Sequence, residues 1–278
     1  MHSGKVRTIH LAEKKARGEK TVMITAYDCP TGRLADEAGV DVVLVGDSVG
    51  NVVLGLPNTI PVTLDQMIHH CAAVSRGVAR ALLVADMPFM SHRISTEQAL
   101  SNAARLMQEG GVEAVKLEGG EEIAPTVARM VGAGIPVMGH IGLTPQSLHQ
   151  LGGYRVQGRD HAQAERLLAS ARALVEAGVF ALVIELVPAV VGRRLTEALA
   201  VPTIGIGAGP HCDGQVLVLH DLLGLNPVPK RFVKVYANLE RMITGAIRQY
   251  AADVRAGRFP SRRHSFAAPQ QREARGKK

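Results

Sequence analysis

The chain has 278 residues, a formal net charge of +7 at pH 7, 46% hydrophobic residues and only 3% aromatic residues. This length suits a single α/β barrel of about 250 residues, and its core must rest on aliphatic side chains. Seven basic residues and one acidic residue follow Gly257, so +6 of the charge lies in the last 21 residues. No basic stripe interleaved with aromatic residues remains, and we expect no nucleic-acid partner.

The cysteine content and the first residues of the sequence indicate the cellular compartment of the protein. Cys29, Cys71 and Cys212 form no CxxC pair, so neither a disulfide framework nor a zinc site is expected. The first 20 residues contain no apolar stretch of a signal peptide, and no run approaches the roughly 18 apolar residues of a membrane span. We therefore expect a cytoplasmic protein that has no membrane partner.

Short apolar runs alternate with longer amphipathic segments along the chain. Eight runs, rich in β-branched residues, are typical of buried parallel strands. They lie at 22–28, 40–48, 80–89, 112–120, 135–142, 179–188, 201–209 and 215–224. Amphipathic periodicity predicts helices at 64–76, 96–109, 121–133 and 162–177, and a final helix at 231–256.

Eight strands, each followed by a helix or a helical candidate, predict an α/β fold of the (β/α)8 TIM-barrel class. An open doubly wound sheet is the alternative, although no GxGxxG follows the first strand. The long connections at 49–62 and 143–160 are candidate substrate lids. We expect residues 1–260 to form one catalytic barrel and the basic residues 261–278 to form a disordered tail.

Ionisable residues fall at the carboxyl ends of these runs, which is the face of a barrel that carries active sites. The six residues are Asp47, Asp86, Lys116, Glu118, His140 and Glu185. Asp47 shares parity with Val43 and Val45, and Lys116 with Glu118, so each set can point the same way. Six such groups on adjacent buried strands would be costly unless they were paired or bound to a metal ion.

Each of these residues also has a purely structural interpretation. Asp47 or Asp86 alone could cap a helix or form a turn. Lys116 and Glu118 could form a salt bridge between strand ends, and His140 could be an ordinary buried histidine. These interpretations would all have to hold at once, which favours a shared functional site.

Three carboxylates without a cysteine, those of Asp47, Asp86 and Glu118, form a set of hard oxygen ligands that suits Mg²⁺. A barrel with such a site commonly stabilises the enolate of a 2-oxo acid. Glu185, which lies between apolar residues on a neighbouring strand, is then the candidate general base. The GIGAG sequence at 205–209 could bind a phosphate or allow close backbone packing, and both interpretations stay open.

Several longer motifs resemble those of the ketopantoate hydroxymethyltransferase family. They are TAYD at 25–28, LVGDS at 44–48, DMPFM at 86–90, VKLEGG at 115–120, GHIGLTPQS at 139–147, GGYRVQGR at 152–159, IELVP at 184–188, GIGAG at 205–209 and DGQVLVLHD at 213–221. The similarity runs from about Thr8 to His264 in the expected order and spacing. Only the tail beyond the HSF sequence at 264–266 looks like an extension.

The resemblance implies a transferase of pantothenate biosynthesis, built on a barrel of the phosphoenolpyruvate/pyruvate type. Such an enzyme adds a hydroxymethyl group from 5,10-methylenetetrahydrofolate to 3-methyl-2-oxobutanoate, giving 2-dehydropantoate and tetrahydrofolate. It also implies a cytoplasmic homodecamer that uses Mg²⁺, with the folate as co-substrate.

Carried over by motif, the resemblance assigns roles to individual residues. Asp47 and Asp86 would bind Mg²⁺, with Glu118 in its inner or outer coordination shell. Glu185 would be the proton acceptor. The residues that would contact the oxo acid or lie in its pocket are Asp47, Ser48, Asp86, Lys116 and His140.

Three other functions stay open at this point. A magnesium-dependent lyase or mutase of 2-oxo acids on the same type of barrel would share the metal–enolate chemistry, and a requirement for folate would separate the two. An inactive barrel that serves as a scaffold would show no turnover. A nucleic-acid binder that uses the tail would lose salt-dependent binding after truncation near residue 260.

Overall fold

The computed structural model describes residues 4–226 and 230–267 and contains a closed barrel of eight parallel strands in sequential order. The strands are β1 (Thr21–Thr25), β2 (Val42–Val45), β3 (Leu82–Asp86), β4 (Ala114–Glu118), β5 (Val137–Gly142), β6 (Ala181–Glu185), β7 (Thr203–Ile206) and β8 (Gly214–Leu217). Strand β8 pairs with β1 in the register Thr21↔Gly214, which closes the barrel and excludes the open doubly wound sheet.

Helices surround the barrel and also lie at its ends. They are α1 (Thr8–Ala16), α2 (Cys29–Glu37), α3 (Val49–Val52), α4 (Leu64–Ser75), α5 (Thr96–Gln108), α6 (Ala124–Gly132), α7 (Leu148–Leu151), α8 (His161–Glu176), α9 (Ala189–Ala198), α10 (Leu219–Leu222) and α11 (Leu239–Arg255). The four helices predicted between strands, at 64–76, 96–109, 121–133 and 162–177, are confirmed to within a few residues as α4, α5, α6 and α8. Helix α1 was not predicted, and its Leu11 side chain is fully buried in the cluster that fills the barrel.

The end of the chain differs most from the predicted elements. The apolar run 215–224 divides into β8 and the short helix α10, whose first N–H, that of Leu219, donates to Thr25 Oγ1 at 3.0 Å. The final helix begins only at Leu239, because the Tyr236 N–H donates to the Leu222 carbonyl at 2.8 Å and holds the preceding segment beside α10. The side chain of Asn238 then caps α11 by accepting from the Arg241 N–H at 3.1 Å.

Alternate strand residues form two separate layers of core. Leu44, Val84, Met138 and Val183 belong to the cluster inside the barrel, together with residues of the other strands. The residues between them pack outward against the helices, as the alternation of side chains along a strand requires. The interior is therefore a packed aliphatic core, as the scarcity of aromatic residues led us to expect.

The outer face of the barrel is left uncovered where β8 meets β1. Val22 on β1 and Gln215 on β8 are Cα partners, and both are exposed, Val22 by 52%. The residues of β2, β3 and β4 are all buried. Helix α11 follows β8, yet none of its residues is buried, so no helix within residues 4–226 and 230–267 covers these two strands as the others are covered.

The predicted tail lies largely outside the described residues. Its first part contains one turn of 3-10 helix at Arg262–His264, and the prediction of disorder for the rest stays a prediction. Over the ranges 4–226 and 230–267, no helix is both long and apolar enough to cross a membrane.

Candidate active site

The fold brings all seven predicted site residues together at the carboxyl ends of β2 to β6. On β3, β4, β5 and β6 the alternation of side chains along the strand points the site residues inward. Asp86, Lys116, His140 and Glu185 each lie two positions after an apolar residue that faces the barrel interior. Asp86 is the Cα partner of Lys116. The same pairing joins Glu118 on β4 to His140 on β5.

Asp47 reaches the site by a different route from the one that its parity suggested. Val43 and Val45 belong to the outer core, so continued alternation would point Asp47 away from the barrel interior. Strand β2 ends at Val45, and the turn that follows brings Asp47 inward, where 4% of its surface is exposed. Its backbone N–H donates to Asp86 Oδ2 at 3.0 Å, which fixes this turn against β3.

An ion pair connects Asp86 to Lys116. The Lys116 Nζ atom lies 2.7 Å from Asp86 Oδ1, and both side chains are nearly inaccessible to water. Apart from this ion pair, Asp86 Oδ1 is a buried oxygen that accepts no hydrogen bond from the described residues. A cation at this oxygen would displace no hydrogen bond but would share the oxygen with the Lys116 ammonium group.

His140 lies between two carboxylates. Its Nδ1 atom is 3.3 Å from Glu118 Oε1, and its Nε2 atom is 3.2 Å from Glu185 Oε2. Lys116 Nζ is 3.1 Å from the same Nδ1. The Glu185 side chain is 17% exposed against 3% for His140, so Glu185 is the member of this group that opens to the mouth of the barrel.

Burial and the neighbouring charges shift the pKa values of Asp47 and Lys116. Burial, followed by the negative charges of Asp86 and Glu118, raises the pKa of Asp47 well above its ordinary value. Burial lowers the pKa of Lys116, but the charges of Asp86, Glu118 and Asp47 outweigh it, so this pKa lies above its ordinary value. Lys116 therefore stays protonated, while the carboxylates around it repel one another.

For Glu118 and His140, the contacts with neighbouring groups outweigh the effect of burial on the pKa. Burial raises the pKa of Glu118, but the bond to His140 and the Lys116 charge outweigh it, so this pKa lies below its ordinary value. Burial and the Lys116 charge lower the pKa of His140, but the contacts with Glu118 and Glu185 outweigh them and raise this pKa above its ordinary value, to about 9. His140 is therefore an imidazolium at neutral pH, and each of its ring nitrogens has a carboxylate oxygen within ion-pair distance, at 3.3 Å for Glu118 and 3.2 Å for Glu185.

Ser48 lies at the edge of the site, beside the end of β1. Its Oγ atom is 2.8 Å from the Tyr27 hydroxyl. Burial raises the pKa of Tyr27, so its hydroxyl keeps its proton and can donate to Ser48. Tyr27 was part of the TAYD motif at 25–28 but had no predicted role.

The sequence interpretation missed Gln146 and His92. Gln146 contacts Asp47 and Glu118, and the Nε2 atom of the buried His92 is 3.0 Å from the Glu118 carbonyl oxygen. Burial lowers the pKa of His92 to about 4, so it is neutral. Both residues lie in connections after strands, where neither strand alternation nor a charge cluster points to them.

The connection 143–160 brings Gln146 and Tyr154 to the site, and its role as a lid stays a prediction. Gly142 starts it with φ at +93°, and a Cβ atom there would overlap the Glu185 carbonyl oxygen, so only glycine allows this approach. Further along, Tyr154 is close enough for the charges of Glu185 and Asp47 to add to the effect of its partial burial and raise its pKa. For the connection 49–62, the role of a lid stays a prediction.

The GIGAG sequence begins in the last two residues of β7 and is packed closely against other backbone. A Cβ atom on Gly209 would overlap Ala189, and one on Gly192 would overlap the Ala208 carbonyl oxygen. Of the two interpretations left open, close packing is therefore the one that the contacts support.

Within the described residues, no three His, Cys, Asp or Glu side chains converge as a complete metal site. Asp47 and Asp86 are adjacent, and two carboxylates are a common protein contribution to Mg²⁺, which keeps several waters. Both oxygens of Glu118 already have partners, one in His140 and one in the Gln146 N–H at 2.9 Å.

Several solved structures are similar to this chain in fold. A phosphonopyruvate hydrolase in complex with oxalate and Mg²⁺ has a TM-score of 0.60 and 14% identity and covers 93% of both chains. A 2,3-dimethylmalate lyase, described as a member of the PEP mutase/isocitrate lyase superfamily, has a TM-score of 0.56 and 16% identity over 90% of this chain and 98% of its own. At such identities the likeness shows the fold alone, and it does not favour a lyase or a mutase.

Sequence relatives are far more similar. The 3-methyl-2-oxobutanoate hydroxymethyltransferase of Moorella thermoacetica is 60% identical over 92% of this chain and 96% of its own length. That of Thermoanaerobacter sp. strain X514 is 55% identical over 94% and 96%. The sequence profile of the family described as ketopantoate hydroxymethyltransferase matches residues 5–262. The chain therefore belongs to the ketopantoate hydroxymethyltransferase family.

Proposed function

We propose that this chain transfers the methylene carbon of 5,10-methylenetetrahydrofolate to C3 of 3-methyl-2-oxobutanoate. One water is consumed, and the products are 2-dehydropantoate and tetrahydrofolate. The observation that carries the proposal is the buried cluster of four carboxylates, one lysine and one histidine at the mouth of the barrel.

The charges of this cluster favour a divalent cation. Four carboxylates face two cationic side chains, Lys116 and His140, and burial together with the negative charges of Asp86 and Glu118 raises the pKa of Asp47. We assign Asp47 and Asp86 as direct ligands of Mg²⁺ and Glu118 as a partner that acts through a water. When bound, Mg²⁺ would hold the ketone and carboxylate oxygens of the oxo acid and stabilise the negative charge of its enolate.

The protein's own groups then bind and orient the substrate. Lys116 Nζ and Ser48 Oγ are the donors available to the oxo acid beside Asp47 and Asp86. The lid 143–160 and the aliphatic interior limit the access of water, which strengthens these interactions.

Glu185 is the group that removes the C3 proton. It opens to the mouth, and one of its oxygens lies 3.2 Å from His140 Nε2, so the imidazolium orients the carboxylate. A carboxylate has several acceptor sites, and one of them is left to take the proton. The carbanion then attacks the one-carbon unit that the folate presents.

The assay is product analysis with 3-methyl-2-oxobutanoate, 5,10-methylenetetrahydrofolate and Mg²⁺. We expect 2-dehydropantoate in an amount equal to the tetrahydrofolate formed. Consumption of the oxo acid without folate would instead indicate a lyase or a mutase, and no consumption at all would indicate an inactive barrel that serves as a scaffold.

We also propose that the chain forms a homo-oligomer through its last helix. The apolar face of α11, formed by Ile243, Ile247, Tyr250 and Val254, is exposed. Beside the uncovered strands β1 and β8 lies a cavity of about 580 Å³, whose lining is mostly aliphatic and includes Val22. Because the backbone before α11 is bonded to α10, the same chain cannot easily turn α11 back into this cavity, and a second copy is its occupant.

Ile247→Glu is expected to separate the subunits, because it places a charge on the face that would be buried. Val22→Glu should do the same from the cavity side. Ala252→Glu, which adds the same charge on the opposite side of α11, is the control and should leave the assembly intact. Light scattering after size-exclusion chromatography measures the mass, and an unchanged mass for Ile247→Glu would contradict this contact.

The size of the assembly and its location go beyond this contact. The family resemblance implies a decamer in the cytoplasm, and both stay predictions. Sedimentation of the unmodified chain would test the decamer directly.

A further inference from the structure

Gln146 connects three strand ends from a position in the lid. It lies in the 3-10 turn Pro145–Ser147 and only 4% of its surface is exposed. Its backbone N–H donates to Glu118 Oε2 at 2.9 Å. Its side-chain Nε2 donates to Asp47 Oδ2 and to the Met87 carbonyl oxygen, each at 2.9 Å. One residue thus holds groups that follow β2 and β3 and the last residue of β4.

The partners of the side-chain amide decide its orientation. Asp47 Oδ2 and the Met87 carbonyl are both acceptors, so only the NH₂ side of Gln146 can face them. Its Oε1 atom is then buried and has no donor among the described residues. A buried amide oxygen without a donor costs free energy, so a water or a ligand must supply the missing hydrogen bond.

We propose that Gln146 is a positioning residue of the cation site. Its side chain holds Asp47, its backbone holds Glu118, and its Oε1 atom accepts a hydrogen bond from a water on the cation. Mg²⁺ usually keeps several waters in proteins, and each of them is a donor. The inference rests on the proposed function in one respect, that the cation is Mg²⁺.

A simpler role for Gln146 would be to anchor the lid through the Met87 carbonyl. That role predicts a lower melting temperature and an unchanged affinity for the ion. A positioning role predicts that the affinity for the ion falls more than the melting temperature does, because groups that hold metal ligands typically contribute about 10–100-fold to metal affinity.

The test is calorimetric titration of Mg²⁺ into the full chain without substrates. Gln146→Met removes the amide, keeps the length of the side chain, and leaves the backbone N–H to Glu118 in place. We expect its Kd for Mg²⁺ to be about 10–100-fold weaker. Turnover should recover when the Mg²⁺ concentration is raised by the same factor, which a distorted lid would not allow.

Gln163→Met is the matched control. Gln163 also donates its Nε2 to a carboxylate, Asp160 Oδ2 at 2.7 Å, but it does so at the exposed start of α8. Its Mg²⁺ affinity should equal that of the unchanged chain. Should Gln146→Met fold poorly, Gln146→Asn serves instead, since it keeps a polar amide but is one methylene too short to reach Asp47 and Met87.

Wild-type Mg²⁺ affinity in Gln146→Met, or in Gln146→Asn if the first does not fold, would overturn the inference. The absence of calorimetric Mg²⁺ binding by the unchanged chain would overturn it as well. A chain that loses Mg²⁺ affinity with Gln146 but forms no 2-dehydropantoate would overturn only the proposed function.

Discussion

Glu185→Gln is expected to bind 3-methyl-2-oxobutanoate with Mg²⁺ as the unchanged chain does, but to lose exchange of the C3 proton in deuterated water. Glutamine keeps the shape of the side chain and cannot accept the proton. Substrate binding rests on the cation and Lys116, so it should persist. Loss of a general base typically costs about 10²–10⁴-fold, and proton NMR of the oxo acid without folate measures this step apart from one-carbon transfer.

Glu197→Gln is the control for this experiment. Glu197 is exposed on α9, where it pairs with Arg193 at 2.7 Å, so the same chemical change should leave exchange unaltered. If Glu185→Gln exchanged at the wild-type rate, the base would be another group, and His140 could take that role only after losing its proton. If it no longer bound the oxo acid, Glu185 would be a binding carboxylate.

Asp47→Asn and Asp86→Asn are both expected to lower turnover by about 10³-fold or more. Each replaces a proposed ligand, and a cation supplies several kcal/mol of charge stabilisation to such a reaction. Calorimetry should show weakened Mg²⁺ binding in both variants. Wild-type turnover at low micromolar Mg²⁺ would exclude the changed residue as a ligand.

The same two variants should differ in stability when no Mg²⁺ is added. Asp47→Asn removes one of several mutually repelling buried carboxylates, so its melting temperature should rise. Asp86→Asn removes the carboxylate 2.7 Å from Lys116, and breaking a buried ion pair typically costs about 3–5 kcal/mol. Thermal unfolding measures both, and a fall for Asp47→Asn would contradict the picture of repelling carboxylates.

The barrel and the five site residues on β3 to β6 were accessible from local sequence pattern. Burial on both faces demands continuous aliphatic runs, so strands such as β3 and β6 could be recognised one at a time. Alternation along those strands also explains why Asp86 and Glu185 point inward. The assignment of roles needed the family resemblance as well, because position alone does not distinguish a ligand from a base.

Contacts between distant parts of the chain depended on the closed barrel. Asp47 points inward because of a turn fixed by Asp86, which is 39 residues away, and not because of its parity. Gln146 meets Asp47 across 99 residues, and nothing near it in sequence indicates that contact. Such contacts arise only when barrel closure and the path of the lid are both set.

Helix α11 shows most clearly what the sequence determines and what only the tertiary structure determines. Its amphipathic pattern is a property of the sequence alone and was read correctly as a helix, although eight residues too early at its start. That its apolar face stays exposed within residues 4–226 and 230–267 is a tertiary fact, set by the hydrogen bonds that tie the preceding segment to α10. The periodicity of a sequence indicates which face of a helix must be buried. Only the packed structure decides which surface that face packs against.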